Sequence, residues 1–269
     1  MISSLSNDRV KKAAAYAAKS KARREDKVFI IEGMKMLREA PVLQVSDVYV
    51  TERFLDNATE DDKEILWRYG AETVSEEVMN KMSDTQTPQG VLAVIRWYEY
   101  SMDEVLEGYN AGDADKENAP LLLVLENIQD PGNLGTMLRS GEGAGVTGVI
   151  LSKGCADIYS PKTIRSTMGS IFRMPFIYVD NAAETVRQLN EKGFNTYAAH
   201  LKGQKNYDEL DYKKPTAFLI GNEGNGLTKE TADAAGEYVL IPMKGEVESM
   251  NAATSAAILT FEASRQRRG

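Results

Sequence analysis

Three short stretches of this sequence gather residues able to do polar chemistry at strand ends. Glu126 to Ser140, ENIQDPGNLGTMLRS, follows the apolar run Leu121 to Leu125 and carries Asn127, Asp130, Asn133 and Arg139. Ile220 to Leu227, IGNEGNGL, follows a second apolar run and carries Gly221, Asn222, Glu223, Gly224 and Gly226. Ile241 to Ile258, IPMKGEVESMNAATSAAI, follows a third and carries Met243, Ser249, Met250 and Asn251. A packed core has no use for these residue types. Side-chain amides can orient a hydroxyl, and a guanidinium can bind a phosphate or stabilise a developing alkoxide. Glycine lets backbone N–H and C=O groups come close enough to read the edge of a heterocycle. Alone, the first stretch reads equally well as an ordinary strand–turn–helix joint with an Asn helix cap. The case for a site rests on all three occurring in one chain.

Other chemistries are excluded by what is scarce. His200 is the only histidine and Cys155 the only cysteine. A mechanism with two histidines, a cysteine-rich zinc site and a disulfide within the chain are therefore ruled out, and both residues are assigned to structure. Gly221, Gly224 and Gly226 lack the G-x-G-x-x-G spacing of a dinucleotide fingerprint, and no phosphate-binding P-loop motif is present. Gly141, Gly143 and Gly145 fall at a helix end, as a packing surface and C-cap would.

These loops need elements to hold them. The second half alternates apolar runs with helical patterns. Strands are predicted at 121–126, 148–151, 176–179, 194–198, 217–220 and 238–241. Helices are predicted at 134–144, 161–168, 182–192, 228–235 and 249–264. This rhythm specifies a mostly parallel sheet covered on both faces, and ligands bind such sheets at the C-terminal ends of the strands. The first half alternates in shorter units. A helix from an Asn7 cap to about Ala22 is followed by a strand at 28–31 and a helix opened by Glu32-Gly33. Further strands fall at 45–50, 72–74 and 91–96, with helices at 61–69 and 76–82. Thr87-Pro88-Gln89-Gly90 is a turn. Residues 101–119 hold a short helix at 102–106 and a polar, acidic linker. The expected domains are thus 1–100 and 120–269, joined by 101–119.

The chain has 269 residues, 42% hydrophobic and 27% charged, as in a soluble globular protein. No apolar run reaches the ~20 residues of a membrane span, and the basic N-terminus lacks the apolar stretch of a signal peptide. A cytoplasmic protein without membrane contact is expected. The net charge of −8 argues against indiscriminate nucleic-acid binding. Within residues 1–27, however, Arg9, Lys11, Lys12, Lys19, Lys21, Arg23, Arg24 and Lys27 stand against only Asp8, Glu25 and Asp26. In an acidic chain such a cluster points to a polyanionic partner.

In this order the three stretches resemble the motifs of the SpoU/TrmH family of RNA 2′-O-ribose methyltransferases. The family's first motif reads roughly N-x-x-D-P-x-N-x-G-x-x-x-R, and Asn127, Asp130, Pro131, Asn133, Gly135 and Arg139 fill each fixed position. The resemblance is close from Leu121 to Ala263. Residues before it match more loosely an L30e-like substrate-binding domain, through FIIEGMKMLREA and the Gln89-Gly90-Val91 turn. The resemblance implies a deep trefoil knot near the C-terminus, which periodicity alone would never suggest. It implies S-adenosyl-L-methionine as cofactor, no metal, and a homodimer paired through the C-terminal domain that shares its active site across the interface. Met250, Ala253, Ala257, Ile258 and Phe261 give the last helix more apolar surface than one narrow stripe needs.

By the same resemblance, Asn133, Arg139, Glu223, Ser249 and Asn251 are the catalytic residues. Ala199, Gly221, Asn222, Gly224, Ile241, Met243, Ser249, Met250 and Ala253 are the cofactor-binding ones. Arg139 as a general base conflicts with the chemistry of guanidinium, which stays protonated; holding the phosphate beside the target ribose suits it better. RNA would be bound by Arg9, Lys11, Lys12, Arg23, Arg24, Arg139 and Arg165, with ribosomal RNA ahead of transfer RNA as substrate. Two departures stand out: Met250 replaces the usual Leu, and Ala252-Ala253-Thr254 replaces a common Val-Ser-Val. Two other functions would use the same motifs. One is an RNA-binding assembly factor without catalysis, against which the intact polar residues count. The other is an antibiotic-resistance methyltransferase of the same chemistry.

Overall fold

A computed structural model describes residues 1–106, 119–246 and 249–268. The polar linker expected before residue 120 therefore lies largely outside the described residues. The chain forms two compact units. One comprises Met1–Tyr98 with Asp157–Phe172, the other Glu99–Ala156 with Arg173–Gly269.

The first unit holds helices α1 (Asp8–Ala18), α2 (Ser20–Asp26), α3 (Met34–Glu39), α4 (Glu52–Asn57), α5 (Glu60–Arg68) and α6 (Glu76–Met82). Its strands are β1 (Val28–Glu32), β2 (Val45–Thr51), β3 (Glu72–Val74) and β4 (Val91–Arg96), in the order β1-β4-β2-β3. β4 runs antiparallel to β1 and β2, and β3 parallel to β2. The Asn7 side chain caps α1 as expected, accepting from Arg9 N–H at 2.9 Å. The single helix predicted to Ala22 is two, because Lys19 is extended. Arg23 supplies a reason. Its guanidinium turns back to donate to Tyr16 O at 2.6 Å, satisfying a carbonyl in the last turn of α1. α4, capped by the Thr51 hydroxyl, is an addition to the predicted helices.

Asp157–Phe172 is the departure from the expected boundaries. By sequence it sits inside the second half, yet it completes the first unit. It contains α9 (Pro161–Thr167), with Ser160 as cap and Pro161 in the first turn. The Tyr159 ring stacks on Phe29 and Trp97, at centroid distances of 4.8 and 4.6 Å. Its hydroxyl donates to Tyr98 O and accepts from Tyr98 N–H, both at 2.8 Å.

The second unit opens with α7 (Met102–Val105) and β5 (Leu121–Leu125), followed by α8 (Pro131–Ala144) and β6 (Gly148–Ser152). After α9 the chain adds β7 (Phe176–Val179), α10 (Ala182–Glu191), β8 (Asn195–Ala199) and β9 (Lys205–Asn206). It ends with β10 (Thr216–Ile220), α11 (Lys229–Ala234), β11 (Glu237–Leu240) and α12 (Ala252–Arg267). The order is β7-β6-β5-β10-β8-β11-β9, and each of these pairings is parallel. β5 is buried throughout, as a central parallel strand with both faces covered should be. No helix among the described residues is long and apolar enough to cross a membrane.

Two helix starts differ from the sequence reading by three residues. α8 begins at Pro131 and is capped by Asp130, whose Oδ1 accepts from Asn133 N–H at 2.8 Å. Asn133 is thus in the first turn, and its own side chain is left available. α12 begins at Ala252 rather than Ser249, because Asn251 is its cap, accepting from Ala253 and Thr254 N–H at 2.9 and 3.2 Å. Ser249 and Met250 consequently lie in the preceding loop. Gly145 ends α8 in the left-handed region at φ +87°, the C-cap expected of it.

Candidate active site

The sheet order creates the site. From β5 the chain moves to one side through β6 and β7, and from β8 onward it builds the other. β5 and β10 are neighbours where the order reverses, and ligands bind α/β sheets at such a switch point. The loops after these two strands are tied together. Asn222 Nδ2 donates to Asn127 O at 2.9 Å. Asn127 sits at φ +56°, a left-handed conformation that Asn tolerates better than most residues. Its N–H donates to Ser152 Oγ at 2.9 Å.

Cys155, assigned to structure, braces this turn by donating from Sγ to Leu125 O at 3.2 Å. Burial pushes its thiol pKa up, which keeps the proton for that bond. Glu126 is a structural element that the sequence reading missed. Its side chain is buried and accepts from Thr228 N–H at 2.7 Å, Thr228 Oγ1 at 3.0 Å and Thr231 Oγ1 at 2.6 Å. It fixes the start of α11 against the end of β5. Nothing local in ENIQ distinguishes such a carboxylate from a surface one.

Asn133 in the first turn of α8, Glu223 in the loop after β10 and Asn251 at the cap of α12 meet directly. Asn133 Nδ2 donates to Glu223 Oε1 at 2.8 Å, and Asn251 Nδ2 donates to Asn133 Oδ1 at 3.0 Å. Beside them a cavity of about 360 Å³ opens over the ends of β8, β10 and β11. Of the residues assigned to cofactor binding, Ala199, Gly221, Asn222, Gly224, Ile241, Met243, Ser249 and Met250 line it. Ala253 does not; it is buried in α12, with its N–H engaged by Asn251. His200 also lines the cavity, with Leu201, Leu227 and Ser255. Its ring stacks on Tyr238 at 4.7 Å, and Nδ1 accepts from Lys202 N–H at 3.0 Å. Sequence offered no reason to place it there.

The loop 222–226 is closed by two backbone bonds between Asn222 and Gly226 and by Asn222 Oδ1, which accepts from Gly224 and Asn225 N–H. A Cβ on Gly221 would overlap the backbone of Gly226 and Leu227. Arg139 stands apart. It is exposed on α8 outside the cavity lining and has no hydrogen bond or ion pair among the described residues.

The basic residues of the first unit separate into different classes. Arg23 is corrected: it is 4% exposed and paired with Asp157 at 2.6 Å, so it is a structural ion pair and not an RNA contact. Arg9 is engaged by Glu72 and by Asp47, the latter at 2.8 Å. Arg165 donates to Asp84 Oδ2 through both terminal nitrogens at 3.1 Å. Lys11 pairs with Asp8 at 3.2 Å and is exposed. Lys12 and Arg24 are exposed without an ion pair among the described residues. Reversing Lys12 and Arg24 to Glu should therefore weaken RNA binding and reduce the slope of log affinity against log salt by about one for each phosphate no longer neutralised. Titrations across a salt series check this; an unchanged slope would show that the two cations only solvate their helices.

Residues 120–261 match the family model described as the SpoU rRNA Methylase family. The chain belongs to this family. Residues 7–93 match a second model, the MRM3-like substrate binding domain. Among curated relatives, the 23S rRNA (guanosine(2553)-2′-O)-methyltransferase RlmP of Bacillus subtilis is 30% identical, with 97% of each chain covered. A crystal structure of an RNA 2′-O ribose methyltransferase superposes with a TM-score of 0.81 at 29% identity, covering 99% of both chains. The AdoMet-bound rRNA methyltransferase of Sinorhizobium meliloti superposes at 0.80, also at 29% identity, covering 98% of this chain and 97% of that one. The α/β expectation, with its parallel C-terminal sheet, thus holds over the full length.

S-adenosylmethionine fits the cavity on this structure's own terms. About 360 Å³ lies within the ~300–1,000 Å³ of small-ligand pockets. Met243, Met250, Ile241 and Leu227 supply an apolar lining. Gly221, with no Cβ, lets the 222–226 loop that walls the cavity close directly against it.

Proposed function

We propose that this chain methylates a ribose 2′-hydroxyl in ribosomal RNA, with transfer RNA the second candidate, using S-adenosylmethionine. The observation that carries the reading is the meeting of Asn133, Glu223 and Asn251 beside a cofactor-sized cavity at the strand switch point, in a chain of this family. S-adenosylmethionine, when bound, supplies a methyl group on a positively charged sulfur that is a good leaving group. The loops after β8, β10 and β11 would hold it through their backbones. Holding the hydroxyl in line with that methyl is where the enzyme gains most, since orientation can account for ~7–11 kcal/mol of barrier.

Arg139 would bind the phosphate next to the target ribose and stabilise the developing alkoxide. Its position outside the cavity lining supports a shared site in a homodimer, where it would serve the partner's cavity. On α12, Ile258 is half-buried and Phe261 45% exposed, an apolar edge suited to that pairing. Sedimentation at micromolar concentration should give about twice the 29.7 kDa chain mass, and a monomer would overturn the dimer. A trefoil knot, a cytoplasmic location and an L30e-like RNA-binding role for the first unit belong to the same proposal, supported by the family match.

Isothermal titration should show binding of S-adenosylmethionine or S-adenosylhomocysteine without added metal. Ribose-methylation mapping of RNA from cells with and without the gene should reveal one nucleotide that loses its methyl group. No cofactor binding at millimolar concentration, or no difference between the two maps, overturns the function.

A further inference from the structure

We infer that Glu223 Oε2 accepts the hydrogen bond and then the proton of the ribose 2′-hydroxyl, and that Asn251 and Asn133 are the positioning residues that aim it. This rests on the methyltransferase reading above. The direction of the relay follows from donors that cannot be reversed. The N–H groups of Ala253 and Thr254 can only donate, so Asn251 must turn its oxygen to them. Its Nδ2 then faces Asn133 and can only donate, so Asn133 must present Oδ1 to it. Asn133 Nδ2 is left to donate to Glu223 Oε1. The start of α12 thereby sets the orientation of two amides and, through them, of one carboxylate. Glu223 Oε2 has no hydrogen bond among the described residues and remains an acceptor.

The cavity offers no rival among its described lining. His200 and Glu223 are its titratable side chains. His200 uses Nδ1 to accept from Lys202 N–H, so in the neutral ring the proton sits on Nε2 and no acceptor nitrogen remains. Arg139 cannot take a proton at all. In the step itself, the 2′ oxygen bonds to the methyl carbon as its proton passes to Glu223 Oε2. The carbon–sulfur bond breaks with its electron pair going to sulfur. The products are the methyl ether, a neutral thioether and a carboxylic acid that returns its proton to water.

The test uses the full-length protein without cofactor and a short RNA carrying the nucleotide found by methylation mapping. The RNA is made with ribose or 2′-deoxyribose at that one position. Wild type should prefer the ribose form by roughly tenfold, the size of a hydrogen bond to a charged group. Glu223→Ala should bind both forms alike. Glu223→Gln, exposed and isosteric, should fold normally and lower the single-turnover rate by roughly 10²-fold or more. Asn251→Asp separates aiming from capping. Asp caps a helix as well as Asn does, so Tm should hold. It cannot donate to Asn133, however, so the Asn133 amide turns its oxygen toward Glu223. The ribose preference and the rate should then fall as for Glu223→Gln. A ribose preference that persists in Glu223→Ala, or an Asn251→Asp enzyme with full rate, overturns the inference while leaving the function standing. Absence of any mapped methyl group overturns both.

Discussion

Replacing Arg139 by alanine should lower the single-turnover methylation rate by roughly 10²-fold, the effect of removing one donor from an oxyanion site. Affinity for S-adenosylmethionine should hardly change, because Arg139 does not line the cavity. The melting temperature should also hold. A purely structural Arg139 would need an acid to pair with, and it makes no ion pair among the described residues. Glu142 is held by Arg173, with one bond at 3.1 Å, and Glu223 accepts from Asn133. Removing the exposed guanidinium therefore strands no buried partner, and surface changes of that kind cost little stability. Arg139→Lys should fail almost as badly, since a point charge does not reproduce a planar fork on a phosphate. Rate and melting temperature measured on one preparation decide the matter. A full-rate Arg139→Ala enzyme with a lowered Tm would end the catalytic assignment.

Gly221→Ala should weaken cofactor binding severely, with affinity falling roughly 100-fold or more, equivalent to about 2.7 kcal/mol. The added methyl would occupy space now held by the Gly226 and Leu227 backbone, and backbone cannot swing aside as a flexible side chain can. Opening 222–226 would break the paired bonds between Asn222 and Gly226 and move several residues of the cavity wall. Gly224→Ala is the control on the same loop. Its Cβ would meet only Asn222 Oδ1 at 3.5 Å, an ordinary approach, so affinity should stay within a few-fold of wild type. Isothermal titration of both variants with S-adenosylhomocysteine checks the pair. Equal loss in both would mean that the loop is sensitive to any side chain, and that the packing at Gly221 is not the reason.

The local features of this protein are legible in its amino-acid order. Apolar runs ending in Gly, Asn and Asp locate the strands and the loops that follow them, because strand patterning and turn chemistry act over a few residues. Asn7 is readable as a cap for the same reason. Where two capping residues compete, local pattern chooses badly: Asp130 caps α8 and Asn251 caps α12, so the side chain of Asn133 is released to the site.

What the tertiary structure alone decided involves residues far apart in sequence. Asn133 meets Glu223 and Asn251 only because the sheet order makes β5 and β10 neighbours. His200 reaches the cavity because β8 pairs beside β10. Asp157–Phe172 completes the first unit though it lies between two strands of the second. Arg23 is the sharpest case. In sequence it is one more cation beside Arg24, yet Arg24 is exposed and Arg23 is buried against Tyr16 O and Asp157. A run of charges states how much charge a segment carries. Which of those charges meets solvent is settled by the residues the fold brings alongside, and Asp157 lies 134 positions away from Arg23.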